Sequence, residues 1–251
     1  MTAHAYTPPR NLRAKLRRRL TQNRAARPAT LRFDQPLLSI SFDDFPVSAA
    51  TLGADILESH GARGTFYAAA GLAESAGPSG RNFSPADLMR LAARGHEIGC
   101  HTFSHADCAQ REAFDALQDL ARNRDAFAAM GAAPARTLAY PYGETSLALK
   151  QALPPRFVCA RGVTPGPNLG RADLAQLRAY AMFGKPFDAM RAALKRAAKR
   201  NAWLIGFTHD IADAPSPWGT RASDLDALLA AARSLGFAIL PVGAALDRRL
   251  T

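Results

Sequence analysis

From Leu37 onward, short β-prone runs alternate with longer stretches of helical period, an order that few folds accommodate. The β-prone runs lie at 37–42, 64–69, 96–101, 137–142, 157–161, 177–182, 202–209 and 237–242. Helical periodicity fills 49–60, 84–94, 111–130, 185–200 and 223–235. Helix starts are signalled by Ser84 before Pro85, a cap followed by a first-turn proline, and by Ser223 ahead of Asp224 and Asp226. Strand, crossover helix and parallel strand is the unit that this order builds. Seven or eight such units in about 210 residues fit a closed barrel better than an open sheet. No repeated unit and no low-complexity linker interrupts the chain after residue 36, so residues 36–251 are expected to form one domain, of a size that can carry an active site. With 48% apolar and 21% charged residues, disorder is excluded for the bulk of it. Its apolar stretches all fall short of the roughly 20 residues that a membrane span needs.

Polar residues collect at the C-terminal ends of these runs, where parallel barrels build their active sites. Asp43 and Asp44 close the first run, His101 and His105 follow the third, Tyr142 ends the fourth, and His209 with Asp210 ends the seventh. Neighbouring residues on a strand alternate in direction, so the two aspartates are expected to point apart and do different jobs. A helix N-cap is the competing reading of Asp44, which precedes Pro46 and a helical pattern. Spaced i, i+4, the two histidines are expected on one face of a helical turn, within reach of one ion. Together with a strand-end carboxylate they make a His2Asp set, matching a catalytic zinc-type site with positions left open. Non-heme iron oxygenases use the same set. A second aspartate beside the metal favours hydrolysis, because an oxygenase has no need of a base there. Cys100, Cys108 and Cys159 form no C-x-x-C pair and are expected as free thiols in a reducing compartment.

These residues carry a family resemblance. Ser41-Phe-Asp-Asp-Phe-Pro46 is similar to a T-F-D-D-G-P motif, and His101-Thr-Phe-Ser-His105 to H-[ST]-x-x-H. Tyr140-Pro-Tyr-Gly143 resembles the tail of R-x-P-Y-G, and Phe207-Thr-His209 resembles L-x-H. In this order, the sequence resembles the polysaccharide deacetylases of carbohydrate esterase family 4, the NodB-homology group, which remove acetyl groups from N-acetylglucosamine-containing glycans. The resemblance implies an α/β fold, a distorted (β/α)7 TIM-like barrel. It also implies a carbohydrate N-deacetylase, a hydrolase of a linear amide, with a divalent metal: Zn2+ first, then Co2+, Ni2+ or Mn2+. Carried over residue by residue, Asp43 is the general base, Asp44, His101 and His105 hold the metal, and His209 is the general acid. The backbone N–H of Tyr142 helps to hold the oxyanion, and Phe207 lines a slot for the acetyl methyl group.

The sequence departs from the pattern at Ala139, where the motif has an arginine that orients the base, and at Phe45, where it has glycine. The tryptophan-bearing fourth motif is not recognisable. Arg161, ending the next β-prone run, is the available substitute, expected to pair with Asp43 in a fork; a surface arginine is the competing reading. Phe45 is expected to narrow one wall of the cleft. The missing arginine also leaves open a catalytically inactive, glycan-binding member of the same fold.

Charge divides the chain. Its 32 Lys+Arg stand against 21 Asp+Glu, a net +11, yet residues 1–33 hold nine basic residues and no acidic one. The remainder, 23 against 21, is close to neutral. A basic N-terminal extension over residues 1–35 therefore argues for a local partner. Nucleic acid is not expected, since no aromatic residues interleave with the cations. An anionic membrane, met by residues 10–32, is. No uninterrupted apolar segment and no small-residue cleavage site follow the basic start, so a cytoplasmic protein associated with the inner face of a membrane is expected. Leu12, Leu16 and Leu20 recur at i, i+4, which allows a short helix with a thin apolar stripe; a solvated arm, docked or disordered, is the alternative. Because the arm lies outside the family-like region, it is expected to say little about catalysis.

Overall fold

The structure, a computed structural model, describes residues 6–250. At its centre are eight parallel strands: β1 Leu37–Asp43, β2 Thr65–Ala68, β3 Glu97–Cys100, β4 Thr137–Ala139, β5 Cys159–Arg161, β6 Tyr180–Ala181, β7 Trp203–Thr208 and β8 Ala238–Ile239. Each falls within one of the β-prone runs or extends it by a single residue. Seven of them follow the order β6-β7-β1-β2-β3-β4-β5, and β8 pairs beside the N-terminal end of β1. The path curls until its ends meet. Leu177, just before β6, donates its N–H to Ala160 of β5 (2.8 Å) and accepts that of Gly162 (2.9 Å). The architecture is a distorted (β/α)7 barrel.

β1 shows why the chain folds this way. It is buried along its whole length, as a strand covered on both faces must be. Leu38, Ile40 and Phe42 pack outward with Leu57 and Leu228 of the helical layer. Leu37 faces the interior with Trp203 and Ile205, followed by Ser39, which accepts a hydrogen bond from Trp203 Nε1 (3.0 Å). By the same alternation Asp43 arrives at the mouth of the barrel.

Eight α-helices are described: α1 Leu12–Asn23, α2 Ala54–Ser59, α3 Pro85–Ala93, α4 Ala113–Ala129, α5 Leu147–Ala152, α6 Gly184–Ala198, α7 Ala222–Ser234 and α8 Val242–Asp247. The helix expected at 49–60 is split, with a π-helical turn at Ala49–Gly53 leading into α2. α3 opens on a capping box, in which Ser84 accepts from the Asp87 N–H and Asp87 accepts from the Ser84 N–H. Among the described residues, no helix is long and apolar enough to cross a membrane.

From α1 onward the basic arm is fastened to the body. Lys150 of α5, fully buried, donates to the carbonyls of Thr21 and Arg24 at the end of α1 (2.7 and 2.8 Å) and pairs with Asp173 (2.8 Å). Asp173 also accepts the N–H groups of Ala26 and Arg27 (3.2 and 2.9 Å). Strand Pro28–Leu31 then pairs antiparallel with Gly170–Asp173, at the end of the Gly/Pro-rich segment after β5.

Candidate active site

The two aspartates do not point apart. Strand alternation stops at Asp44, whose φ of 53° is left-handed. This turn brings both carboxylates into one cluster of side chains, Asp43 against Arg161 and Asp44 facing His101 and His105. Nor do His101 and His105 lie on a helical turn. They are joined by an irregular bend with left-handed φ at Thr102 (61°) and His105 (51°). Asp119 of α4 secures the bend by accepting the N–H groups of Phe103 and Ser104 (3.0 and 3.1 Å). One turn further along α4, Asn123 accepts from Ala70 N–H (2.8 Å) and donates to Ala68 O (3.1 Å), fastening the end of β2. Among the described residues six non-glycines have positive φ, and four of them, Asp44, Thr102, His105 and Tyr142, belong to this site. Such conformations cost on the order of 1–3 kcal/mol each and persist where the surroundings over-determine them.

His101 donates its Nδ1–H to Ala139 O (2.7 Å), and His105 Nδ1 meets the Tyr142 hydroxyl (3.0 Å). Both Nε2 atoms are thereby turned toward Asp44, at 3.9 Å from Oδ1 and 3.4 Å from Oδ2 respectively. One ligand atom from each residue lies within 4.8 Å of the others. Burial pushes the His101 imidazole down to about 3 and that of His105 to about 4, so both are neutral and offer lone pairs. Burial, with Asp43 adding to it and His209 opposing, pushes Asp44 up to about 7, and its Oδ1 is buried with no hydrogen-bond partner. A part-buried carboxylate whose buried Oδ1 receives no hydrogen bond, facing two neutral imidazoles each oriented through its other nitrogen, fits a divalent cation. Cys100 and Cys108 stand outside this group as buried free thiols, pushed up to about 11 and about 12 by burial.

Asp43 is held differently. Arg161, fully buried, donates from Nη2 to Asp43 Oδ1 and from Nη1 to Gly162 O (3.1 Å). Its guanidinium carbon lies 5.1 Å from the Tyr67 ring centre and 4.8 Å from that of Phe207. The contact uses one nitrogen rather than the expected fork, since Nε finds no acceptor. Arg161 is the register partner of Ala139 across β4 and β5. The guanidinium that position 139 lacks is thus supplied by the next strand at the same level. Burial acts to raise the Asp43 carboxyl, but Arg161, then His101 and His209, outweigh it and hold the group below its ordinary value.

His209 sits half-buried at the end of β7, with Nδ1 donating to Trp218 O (3.2 Å). Asp210 is directed away from it and caps the following loop, accepting from the Ser216 N–H and hydroxyl (2.8 and 2.6 Å). Phe45 does not narrow the cleft. It is fully buried in the helical layer, stacked on Phe83 (4.4 Å) and edge-on to Phe66 (5.4 Å), because the turn at Asp44 sends the chain back into the core. The arm, by contrast, reaches the site. The Tyr6 ring lies 4.9 Å from that of Tyr142, and Arg18 pairs with Glu144 on the same turn. Sequence reasoning passed over Asp119, Trp218 and Tyr6. Asp119 was legible as a polar residue which, with Asn123 four positions on, lies on the buried face of α4, whereas the other two carried no signal.

The polysaccharide deacetylase family model matches residues 31–154, which include Asp43, Asp44, His101, His105 and Tyr142. No curated protein matches the chain. Its fold is similar to that of the chitin deacetylase from the fungal pathogen Colletotrichum lindemuthianum, with 17% identity and a TM-score of 0.60 over 89% of this chain and 92% of that one. A family 4 carbohydrate esterase from Streptomyces lividans, solved in complex with acetate, is 16% identical, with a TM-score of 0.56 over 83% and 93%. A pseudoenzyme of the same esterase family is 13% identical, with a TM-score of 0.59 over 91% and 74%. By motif and family model, residues 31–154 belong to the polysaccharide deacetylase family, carbohydrate hydrolases that act on N-acetyl amide bonds.

Proposed function

We propose that this protein is a metal-dependent N-deacetylase of an N-acetylated sugar of the N-acetylglucosamine type, releasing acetate and leaving a free amine. The observation that carries this reading is Asp43, a buried carboxylate kept ionised by Arg161 next to the Asp44, His101 and His105 donor set. Asp44, His101 and His105 would hold a divalent cation, Zn2+ in the first instance, which would supply a Lewis acid for the amide carbonyl and lower the pKa of water. Asp43 takes the proton from the attacking water. The backbone N–H of Tyr142, presented by a left-handed turn, donates to the developing oxyanion. His209, oriented through Nδ1 on Trp218 O, delivers a proton from Nε2 to the nitrogen, because an amine leaves poorly unless it is protonated. Arg161 acts through Asp43 as a positioning residue. The three free thiols fit work in a reducing compartment, on the inner side of a membrane.

Ala139 and the pseudoenzyme among the similar folds favour a second reading, a glycan-binding protein without activity. An acetate-release screen of the metal-loaded protein across monomeric, oligomeric, peptidoglycan-derived and lipid-linked N-acetylated sugars separates the two. Catalysis predicts acetate from at least one of them; sugar binding with no acetate from any supports the inactive protein.

A further inference from the structure

We propose that α1 is a lipid-facing helix that seats the barrel on an anionic membrane and so makes a membrane-carried glycan the substrate. The seat stands on the structure of the arm, and only the substrate half rests on the deacetylase reading above.

A helix that docks on a protein body normally buries its apolar stripe. α1 does the reverse. At about 100° per residue, Ala14, Arg18 and Thr21 share one face. That face meets the body, with Ala14 and Thr21 buried and Arg18 paired with Glu144. Leu12, Leu16 and Leu20 fall on the opposite side and are 83%, 60% and 51% exposed. Arg13 and Arg17 flank this stripe along one edge, and Lys15 and Arg19 along the other; all four are exposed. Among the described residues none of the four lies within ion-pair reach of a carboxylate, and residues 1–33 contain no acidic side chain.

A row of leucines edged on both sides by cations needs a partner that is apolar and anionic in one plane. An anionic lipid surface is such a partner, with headgroups for the cations and the acyl boundary for the leucines of a helix lying flat. The seat is rigidly tied to the catalytic mouth. Lys150 holds the end of α1, Arg18 clips its middle to the turn that carries Tyr142, and the Tyr6 ring packs at a tilt against Tyr142 itself. A glycan anchored in the same membrane is therefore presented beside the barrel mouth while the helix stays seated.

The test is flotation of the full chain on phosphatidylcholine vesicles prepared with and without phosphatidylglycerol. The wild type is compared with a triple variant, Leu12→Gln, Leu16→Gln and Leu20→Gln, and with Arg13→Gln, Arg17→Gln. The wild type should float with the phosphatidylglycerol vesicles and not with phosphatidylcholine alone. The triple variant should bind about ten-fold less or weaker still with an unchanged melting temperature, and the arginine pair should bind less, most visibly at low salt. Equal flotation of wild type and triple variant overturns the proposal, as does a wild type that ignores phosphatidylglycerol. A wild-type dimer that the triple variant dissolves, with no vesicle binding by either, also overturns it and assigns the stripe to a second copy. Acetate release then tests the substrate half. The triple variant should lose release from a lipid-anchored N-acetylglucosamine and keep it on a soluble one, whereas equal release on both refutes this half. Flotation needs no catalysis and soluble-substrate release needs no membrane, so failure of the seat and failure of the deacetylase reading are read separately.

Discussion

Replacing Arg161 by methionine keeps much of the side-chain volume and strands the Asp43 carboxylate inside the barrel. Both groups are out of solvent, with side-chain exposures of 0% and 6%. Removing one partner of such a buried pair costs about 3–5 kcal/mol, and the lost stacking against Tyr67 and Phe207 about 1 kcal/mol more. At about 2–4 °C per kcal/mol for a domain of this size, the melting temperature should fall by about 10 °C or more. The pH dependence has a definite sign. In the wild type the Asp43 carboxyl lies below its ordinary value of 3.8, so its stabilising contribution is present above that pH and fades as the carboxyl protonates below it. Without Arg161, burial governs and the carboxyl rises, so protonation relieves the variant first; the deficit should be largest near neutral pH and narrow on acidification. The double variant Asp43→Asn, Arg161→Met removes both charges and should recover most of the stability while releasing no acetate. Denaturation followed by circular dichroism, alongside acetate release, reads all three proteins. An Arg161→Met protein within about 1 kcal/mol of wild type would refute the buried-pair argument. A double variant as unstable as the single one would show that packing, not charge, is at stake.

Ala139→Arg alone should destabilise the protein, because it crowds a second guanidinium into the site that Arg161 fills. In an Arg161→Ala background, however, it should restore acetate release, and no rescue would argue against the strand-to-strand replacement. Asp119→Ala leaves the Phe103 and Ser104 N–H groups without their acceptor; it should cost about 2–4 kcal/mol in denaturant titrations and weaken metal affinity about 10–100-fold. His96 accepts from Gly64 N–H at Nδ1 and donates to Glu58 from Nε2 (both 3.0 Å), and burial holds it below its ordinary 6.5. Its neutral form belongs to the folded state, so stability falls as pH drops below 6.5. His96→Gln should flatten that slope by up to one proton, about 1.4 kcal/mol per pH unit, in melting curves taken across pH.

The eight strands were legible because a parallel strand is buried on both faces and reads as a short apolar run, as in β1. α5 and α8, at six residues each, are too short to show a period. Arg161 could be found because it ends the run next to Ala139, and neighbouring runs in this fold become neighbouring strands. The left-handed turns at Asp44, Thr102 and His105 could not be found, because no glycine marks them and only tertiary contacts such as those of Asp119 maintain them. For that reason the aspartates converge where alternation said they diverge, the histidines meet without a helix, and Phe45 lies in the core. The leucine period of α1 was equally plain. A period says which residues share a face and not which face meets the body; Lys150 and the Arg18–Glu144 pair decide that.

The central claim is that Asp43 serves as a base beside a cation held by Asp44, His101 and His105. It is tested most directly by measuring acetate release and bound metal together in the wild type and Asp43→Asn, each loaded with Zn2+. One Zn2+ in each protein, with acetate released by the wild type and lost in Asp43→Asn, is the result predicted. Acetate released equally by both, or a fully loaded wild type that releases none, would contradict it.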